Sequence, residues 1–207
     1  MTRYLFVRHG ESEANLLHEF SNRGWKHGLT DLGIKQANSL AMRLQDYSIG
    51  AIYTSPLLRA WQTAEIVGRA VNIVPQIANE LIEFDTGALE GKSDQDSWNL
   101  YYEITNDWFI RKKYSRRFDR GDSFESILAR FLPFFALIRQ RHSHSDQAVL
   151  FVGHGGTFLC TLPIVFEQID VNFALQHRLG HTDIVVAEEF EGKLSCLVWG
   201  GEIIIQP

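Results

Sequence analysis

Two stretches far apart in the chain share one design, and any fold of this sequence has to accommodate both. Tyr4-Leu5-Phe6-Val7 is a short apolar run that ends abruptly in Arg8-His9-Gly10 and then Glu11-Ser12. Ala148-Val149-Leu150-Phe151-Val152 ends in the same manner, in Gly153-His154-Gly155-Gly156-Thr157. Apolar runs of this length bounded by glycine read as buried strands. In open α/β sheets ligands bind at the carboxyl ends of such strands, so each run hands a histidine to the edge where binding chemistry sits. Either histidine alone reads as an ordinary hydrogen-bonded loop residue. The flanking glycines, however, strip side chains from the space around both rings, which a merely structural histidine does not need.

The rest of the chain alternates between strand and helix patterns. Thr30 can cap a helix running to about Asp46, with Ile34, Ala37, Leu40, Ala41 and Leu44 on one face. Residues 49–54 read as a strand, and Ser55-Pro56 opens a helix to about Ala70 that carries Leu57, Ala60, Ala64 and Val67 inward and Arg59 in its first turn. Ile73-Val74 is expected to form another short strand, and Leu81-Ile82-Glu83 leads into a glycine-punctuated loop ending at Gly91. Asp122 or Ser123 can cap a long helix that buries Phe124, Ile127, Phe131, Phe135 and Ile138 and feeds the second histidine strand. Residues 155 to about 168 read as helix, and 184–186 with 194–199 as two strands joined at Glu191-Gly192. The expectation is an α/β three-layer sandwich, a mainly parallel central sheet flanked by helices, forming one domain over residues 1–207. Between about 93 and 122 rings interleave with the basic run Arg111-Lys112-Lys113 and Arg116-Arg117. This is a small helical cap insertion, too short to fold alone, whose rings and cations either line a cleft or form a solvated face.

Composition narrows the partners. A formal net charge of −5 over 207 residues gives no global pull toward nucleic acid or an anionic membrane, so any anion must be held in a local pocket. Cys160 and Cys196 make no metal or redox spacing, which points to a reducing compartment. No leader-like succession opens the chain and no apolar stretch is long enough to span a bilayer, so a cytoplasmic protein is expected.

Arg8, His9, Asn15, Arg59, Glu83 and His154 all follow strand ends or begin the helices that follow them. Parallel strands end on one edge, so these groups can meet. Two guanidinium forks match phosphate oxygens, and helix starts add backbone N–H donors. One neutral imidazole can attack phosphorus, the other can stabilise the equatorial oxygens, and Glu83 can supply and later take back the proton. No acidic cluster asks for a metal.

At these residues the sequence resembles the histidine phosphatase superfamily, also called the phosphoglycerate mutase-like family. The matches are Arg8-His9-Gly10-Glu11 with Ser12 and Asn15; Leu29-Thr30 with Gly33, Gln36 and Ala37; Ser55-Pro56-Leu57, Arg59-Ala60 and Gln62-Thr63-Ala64; Glu83 with Gly87 and Glu90-Gly91; and Val152-Gly153-His154-Gly155-Gly156. The resemblance implies that His9 is the phosphorylated nucleophile. Arg8, Arg59 and His154 would hold the phosphoryl group with help from Asn15 and the Gly155 backbone, and Glu83 would be the proton donor. It implies no metal and no cofactor, and a small phosphorylated metabolite as substrate. Lys112, Lys113, Arg116 and Arg117 fall where the family carries its variable cap and would help choose that substrate.

In the resembling mutases an arginine directly follows the catalytic glutamate, whereas Phe84 and Asp85 stand here, which favours hydrolysis over a cofactor-dependent phosphoglycerate mutase. Asn22-Arg23-Gly24-Trp25 also departs from the family pattern, and no phosphate contact is carried over from it. A phospho-ligand sensor or phosphorelay domain would keep the arginines but would not require Glu83. Gly153-His154-Gly155-Gly156 has the wrong spacing for a dinucleotide loop, and no arginine follows Cys160 at the distance a cysteine phosphatase needs.

Overall fold

The computed structural model describes residues 2–143, 145–190 and 192–204. In chain order the elements are β1 (Thr2–Arg8), α1 (Glu13–Leu17), α2 (Asp31–Arg43), β2 (Ile49–Thr54), α3 (Leu58–Val71), β3 (Gln76–Ile77), α4 (Gln95–Phe109), α5 (Phe124–His142), β4 (Ala148–Gly153), α6 (Gly155–Val165), α7 (Val171–Gln176), β5 (Ile184–Phe190), β6 (Lys193–Trp199) and β7 (Glu202–Ile203). The strands form one sheet in the order β3-β2-β4-β1-β5-β6-β7. β1 to β4 run parallel, and β5, β6 and β7 extend the sheet in antiparallel fashion. It is a mostly parallel sheet flanked by helices, as the alternating pattern implies.

Alternation along β1 and β4 divides the core between the two sheet faces. Tyr4, Phe6, Val149 and Phe151 pack with Phe131, Phe135 and Ile138 of α5 and with Phe158 and Leu162 of α6. Leu5, Val7, Leu150 and Val152 pack on the other face against Leu40 and Ala41 of α2 and Ala60, Ala64 and Val67 of α3. A third cluster, including Phe84, Ile104, Trp108, Phe118 and Phe124, joins α4 to the start of α5.

Local rules account for most boundaries. The Thr30 hydroxyl accepts from the Gly33 N–H and starts α2, and the Ser123 hydroxyl accepts from the Ser126 N–H and starts α5. The expected strand at 73–74 does not form. Asn72 ends α3 in the left-handed conformation, φ 58°, and Pro75 offers no N–H to a ladder. Pairing with β2 therefore begins only at Gln76. Ile34, expected inward, is 42% exposed. Glu83 lies between two 3₁₀ turns, Asn79–Leu81 and Gly87–Leu89, instead of closing a strand. α7 and β7 have no counterpart in the sequence reading.

Phe151 has no exposed surface and stacks on Phe6 and Tyr53 at ring-centroid distances of 4.9 and 5.8 Å. Phe151→Ala is expected to lower unfolding stability by about 3–5 kcal/mol, read from the shift in urea midpoint.

Candidate active site

The site is assembled by strand register. β1 and β4 are neighbours, with Arg8 opposite Gly153, so the next residue of each strand is a histidine, and the His9 N–H donates to the Gly153 carbonyl at 3.0 Å. The imidazole centroids lie 5.0 Å apart at 61°. The turn after β1 sits tightly on the start of α2. A Cβ on Gly10 would lie 2.6 Å from the Gly33 carbonyl oxygen, and one on Gly33 would collide with that of Glu11. Side chains larger than hydrogen would push the two segments apart.

His9 is buried, and its Nδ1 lies 2.6 Å from the Gly10 carbonyl oxygen, an acceptor, so Nδ1 carries the proton. Nε2 is left with its lone pair and accepts from Arg59 Nε–H at 3.1 Å. Burial, and then the Arg59 and Arg8 charges, hold His9 well below the usual histidine pKa of 6.5. His154 is fully buried and held down in the same way, by burial and then Arg59. Its Nε2 meets Ser55 Oγ at 2.7 Å, and its Nδ1 has no partner among the described residues.

Arg8 is pinned by Nη1–H to the Leu179 carbonyl at 2.8 Å, while its buried Nε has no partner among the described residues. Burial pushes Arg59 down to about 10 although Glu83 and Glu90 pull it up; it still carries its charge at neutral pH. The Glu83 carboxylate rests on the N-terminus of α6. Oε1 accepts from the Thr157 N–H at 2.7 Å, the Thr157 hydroxyl at 2.9 Å and the Phe84 N–H at 3.0 Å, and Oε2 accepts from the Gly156 N–H at 3.0 Å. Gly156 makes this possible, since a Cβ there would lie 2.8 Å from Oε1.

A cavity of about 280 Å³ opens on this edge, with Arg8, His9, Asn15, Arg59, Glu83 and Gly155 in its wall. His154 is not in that wall, but its ring centroid lies 5.0 Å from that of His9. The structure thus gathers every residue expected at the phosphoryl end.

It does not bring Lys112, Lys113, Arg116 and Arg117 there. All four are exposed and none lines the cavity. They fall beyond the end of α4, where the buried Asp107 carboxylate collects neighbouring cations: Arg111 Nη1 at 2.7 Å, Lys113 Nζ at 3.3 Å and Arg116 Nε at 3.9 Å. Lys112 occupies the left-handed turn, φ 55°, and Arg117 bridges to Ser123. Helix α4 presents Trp98, Tyr101 and Tyr102 to the cavity instead.

Sequence reading also missed His181. Its Nε2 lies 3.2 Å from Arg8 Nη2 and 3.2 Å from Asn15 Oδ1. Arg8 can only donate. Asn15 Oδ1 already accepts from the Ser12 N–H and hydroxyl, at 3.0 and 2.9 Å, which fixes it as the oxygen. One ring nitrogen cannot accept from the first and donate to the second at once, so only one of the two contacts is a hydrogen bond in a given protonation state. Burial, and then Arg8, lower the His181 pKa to about 4, which favours acceptance from Arg8. The signal was present in Gly180-His181, just upstream of β5, which repeats the glycine-histidine step of Gly153-His154. Asn22 reaches the cavity from the segment that departs from the family pattern.

The family model described as the histidine phosphatase superfamily (branch 1) matches residues 4–201. The chain belongs to that family. It is 30% identical over 154 residues to phosphoserine phosphatase 1 of Hydrogenobacter thermophilus, a match covering 74% of this chain and 71% of that one. It is 31% identical over 210 residues to a 2,3-bisphosphoglycerate-dependent phosphoglycerate mutase of Rhizobium meliloti, covering 92% and 96%. Among solved structures, Bacillus stearothermophilus YhfR superposes with a TM-score of 0.83 at 27% identity over 100% of both chains. Phosphatases and mutases thus both stand among the relatives.

The three lowered histidines of the site, together with His142, which burial and then Arg141 also lower, contribute a common pH dependence to stability. Between about 6.5 and their folded values the unfolded chain binds protons that the folded site refuses, so stability is full above that window and falls as pH drops through it. For His181 the fall extends down to about 4. Urea midpoints measured from pH 7 to 4.5 are expected to decline, with a shallower slope for His181→Asn.

Proposed function

We propose that this histidine-family phosphatase hydrolyses small phosphate monoesters, without a metal, through a phosphohistidine on His9. We read residues 1–207 as one working domain in which the segment at about 93–122 is the cap. The observation that carries the reading is the tautomer of His9: with Nδ1 tied to the Gly10 carbonyl, the Nε2 lone pair is presented beside the Arg59 guanidinium. Around it the buried donors Arg8 Nε and His154 Nδ1 lack partners, and a phosphoryl group would satisfy both.

The steps follow from that arrangement. Phosphoryl oxygens take hydrogen bonds from Arg8, Arg59 and His154, with Asn15 and the Gly155 N–H at the rim. His9 Nε2 forms its bond to phosphorus as the ester oxygen departs. Glu83 gives that oxygen a proton, and Oε2, with a single donor where Oε1 has three, is the oxygen free to carry it. Water then attacks the phosphohistidine, Glu83 takes the water's proton, and phosphate leaves.

Hydrolysis is favoured over phosphoryl transfer to a second substrate site because, beyond Arg8 and Arg59, Arg178 is the one lysine or arginine among the residues lining the cavity. A sensor or phosphorelay role leaves the four donors on the Glu83 carboxylate without purpose. The described residues include no helix long and apolar enough to cross a membrane. Buried free thiols at Cys160 and Cys196 fit a reducing cytoplasm.

His9→Ala is expected to drop hydrolysis of any ester to the assay floor, and enzyme denatured in alkaline detergent, where a phosphohistidine survives, should carry label from a ³²P-ester only when His9 is present. Glu83→Gln is expected to slow alkyl phosphates by about 10²–10⁴-fold and p-nitrophenyl phosphate far less, since that leaving group departs unprotonated. Equal slowing in a steady-state comparison would remove the acid role.

A further inference from the structure

The body of the substrate has to fit what lies beyond the phosphoryl end, and there α4 decides. Trp98, Tyr101 and Tyr102 are spaced i, i+3 and i+4, which places them on one helix face, and all three line the cavity. They form a connected aromatic wall. The ring of Phe20 lies 4.3 Å from that of Trp98 at 35°, and Trp98 lies 5.8 Å from Tyr102 at 34°. The Trp98 indole N–H donates to the His18 carbonyl at 3.0 Å, which fixes the ring plane. Burial, and then the Glu83 carboxylate, hold the Tyr101 phenol far above its ordinary value of 10, so it stays a neutral donor.

Charge is scarce on this wall. Glu19 is engaged by Lys26, and Arg178 is, among the described residues, the one lysine or arginine that joins Arg8 and Arg59 in the lining. The cations of the basic run face away. A second phosphate seated here would lose its water against rings and gain at most one guanidinium, and such incomplete compensation is unfavourable. A flat apolar group would gain contact with ring faces already held in place.

Building on the phosphatase reading, we propose that the substrate is a phosphate monoester of a ring-bearing alcohol, its ring stacked on the Trp98 and Tyr102 face of α4. A bisphosphate or a small zwitterionic ester would not be preferred.

The test compares kcat/KM for 2-phenylethyl phosphate, glycerol 1-phosphate, O-phosphoserine and 2,3-bisphosphoglycerate, with p-nitrophenyl phosphate as a control for the phosphatase chemistry itself. The phenylethyl ester is expected to exceed the other three by at least about tenfold. In Tyr102→Ala and Trp98→Ala that ratio should fall to within about threefold of unity, and Tyr102→Phe should restore it. Trp98 packs on Phe20, but Tyr102 is 49% exposed, so its truncation opens no core and keeps the test informative if the Trp98 variant does not fold. Turnover of p-nitrophenyl phosphate with no preference for the phenylethyl ester, or a preference that survives Tyr102→Ala, overturns the substrate class and leaves the phosphatase intact. Failure to hydrolyse any of the five esters removes both.

Discussion

The parallel pairing of β1 with β4 is the constraint on which the site depends. Because Arg8 stands opposite Gly153, one residue of further chain on each strand puts His9 against His154, and no loop has to be ordered to bring them together. A slip of one residue would turn each strand's core-facing side chains to the opposite face. Tyr4, Phe6, Val149 and Phe151 would then exchange places with Leu5, Val7, Leu150 and Val152, and both packed layers forbid it. The imidazole separation is therefore guarded by the hydrophobic core.

Two guanidinium groups and two imidazoles are crowded together at this edge, His9, Arg59 and His154 all buried. Arg8 and Arg59 stay charged by leaning on distant carboxylates, among them Glu83, Asp183 and Glu90. His9 and His154 answer the same crowding by remaining neutral. In the proposed reaction an arriving dianion would reverse that balance, supplying negative charge and acceptor lone pairs to Arg8 Nε and His154 Nδ1, which have no partner among the described residues. On the proposed reading, nucleophile and anion cradle are two aspects of one electrostatic arrangement, in which burial and the arginines keep His9 Nε2 unprotonated and hydrogen-bonded to Arg59.

The sheet, the helices and the meeting of Arg8, His9, Arg59, Glu83 and His154 at one sheet edge were legible in the sequence because each is encoded locally. Buried strands read as apolar runs, α2 and α5 carry their own caps, and glycines mark the turns beside His9 and His154. What escaped depends on tertiary choices. The chemistry of Arg111 to Arg117 is the same whether it faces a cavity or solvent, and only the position of Asp107, one helical turn back, decides the outcome. His181 lacks a long apolar strand immediately before it, and reaches Arg8 only because β5 lies beside β1. Ile73 and Val74 have strand composition, but Asn72 and Pro75 set the local geometry against it.

α6 begins one residue after His154, and its first N–H groups hold Glu83. The start of α6 therefore fixes both the His154 imidazole, at its N-cap, and the Glu83 carboxylate, while the wall proposed to meet the remainder of the ligand belongs to α4, which joins the Glu83 segment through Phe84. On that reading selectivity can be altered at the half-exposed Tyr102 with the bond-breaking groups left in place, whereas Tyr101, stacked on Phe84 beside Glu83, ties the outer wall to the reaction centre. Only the rim of the wall is therefore free to change without touching the chemistry.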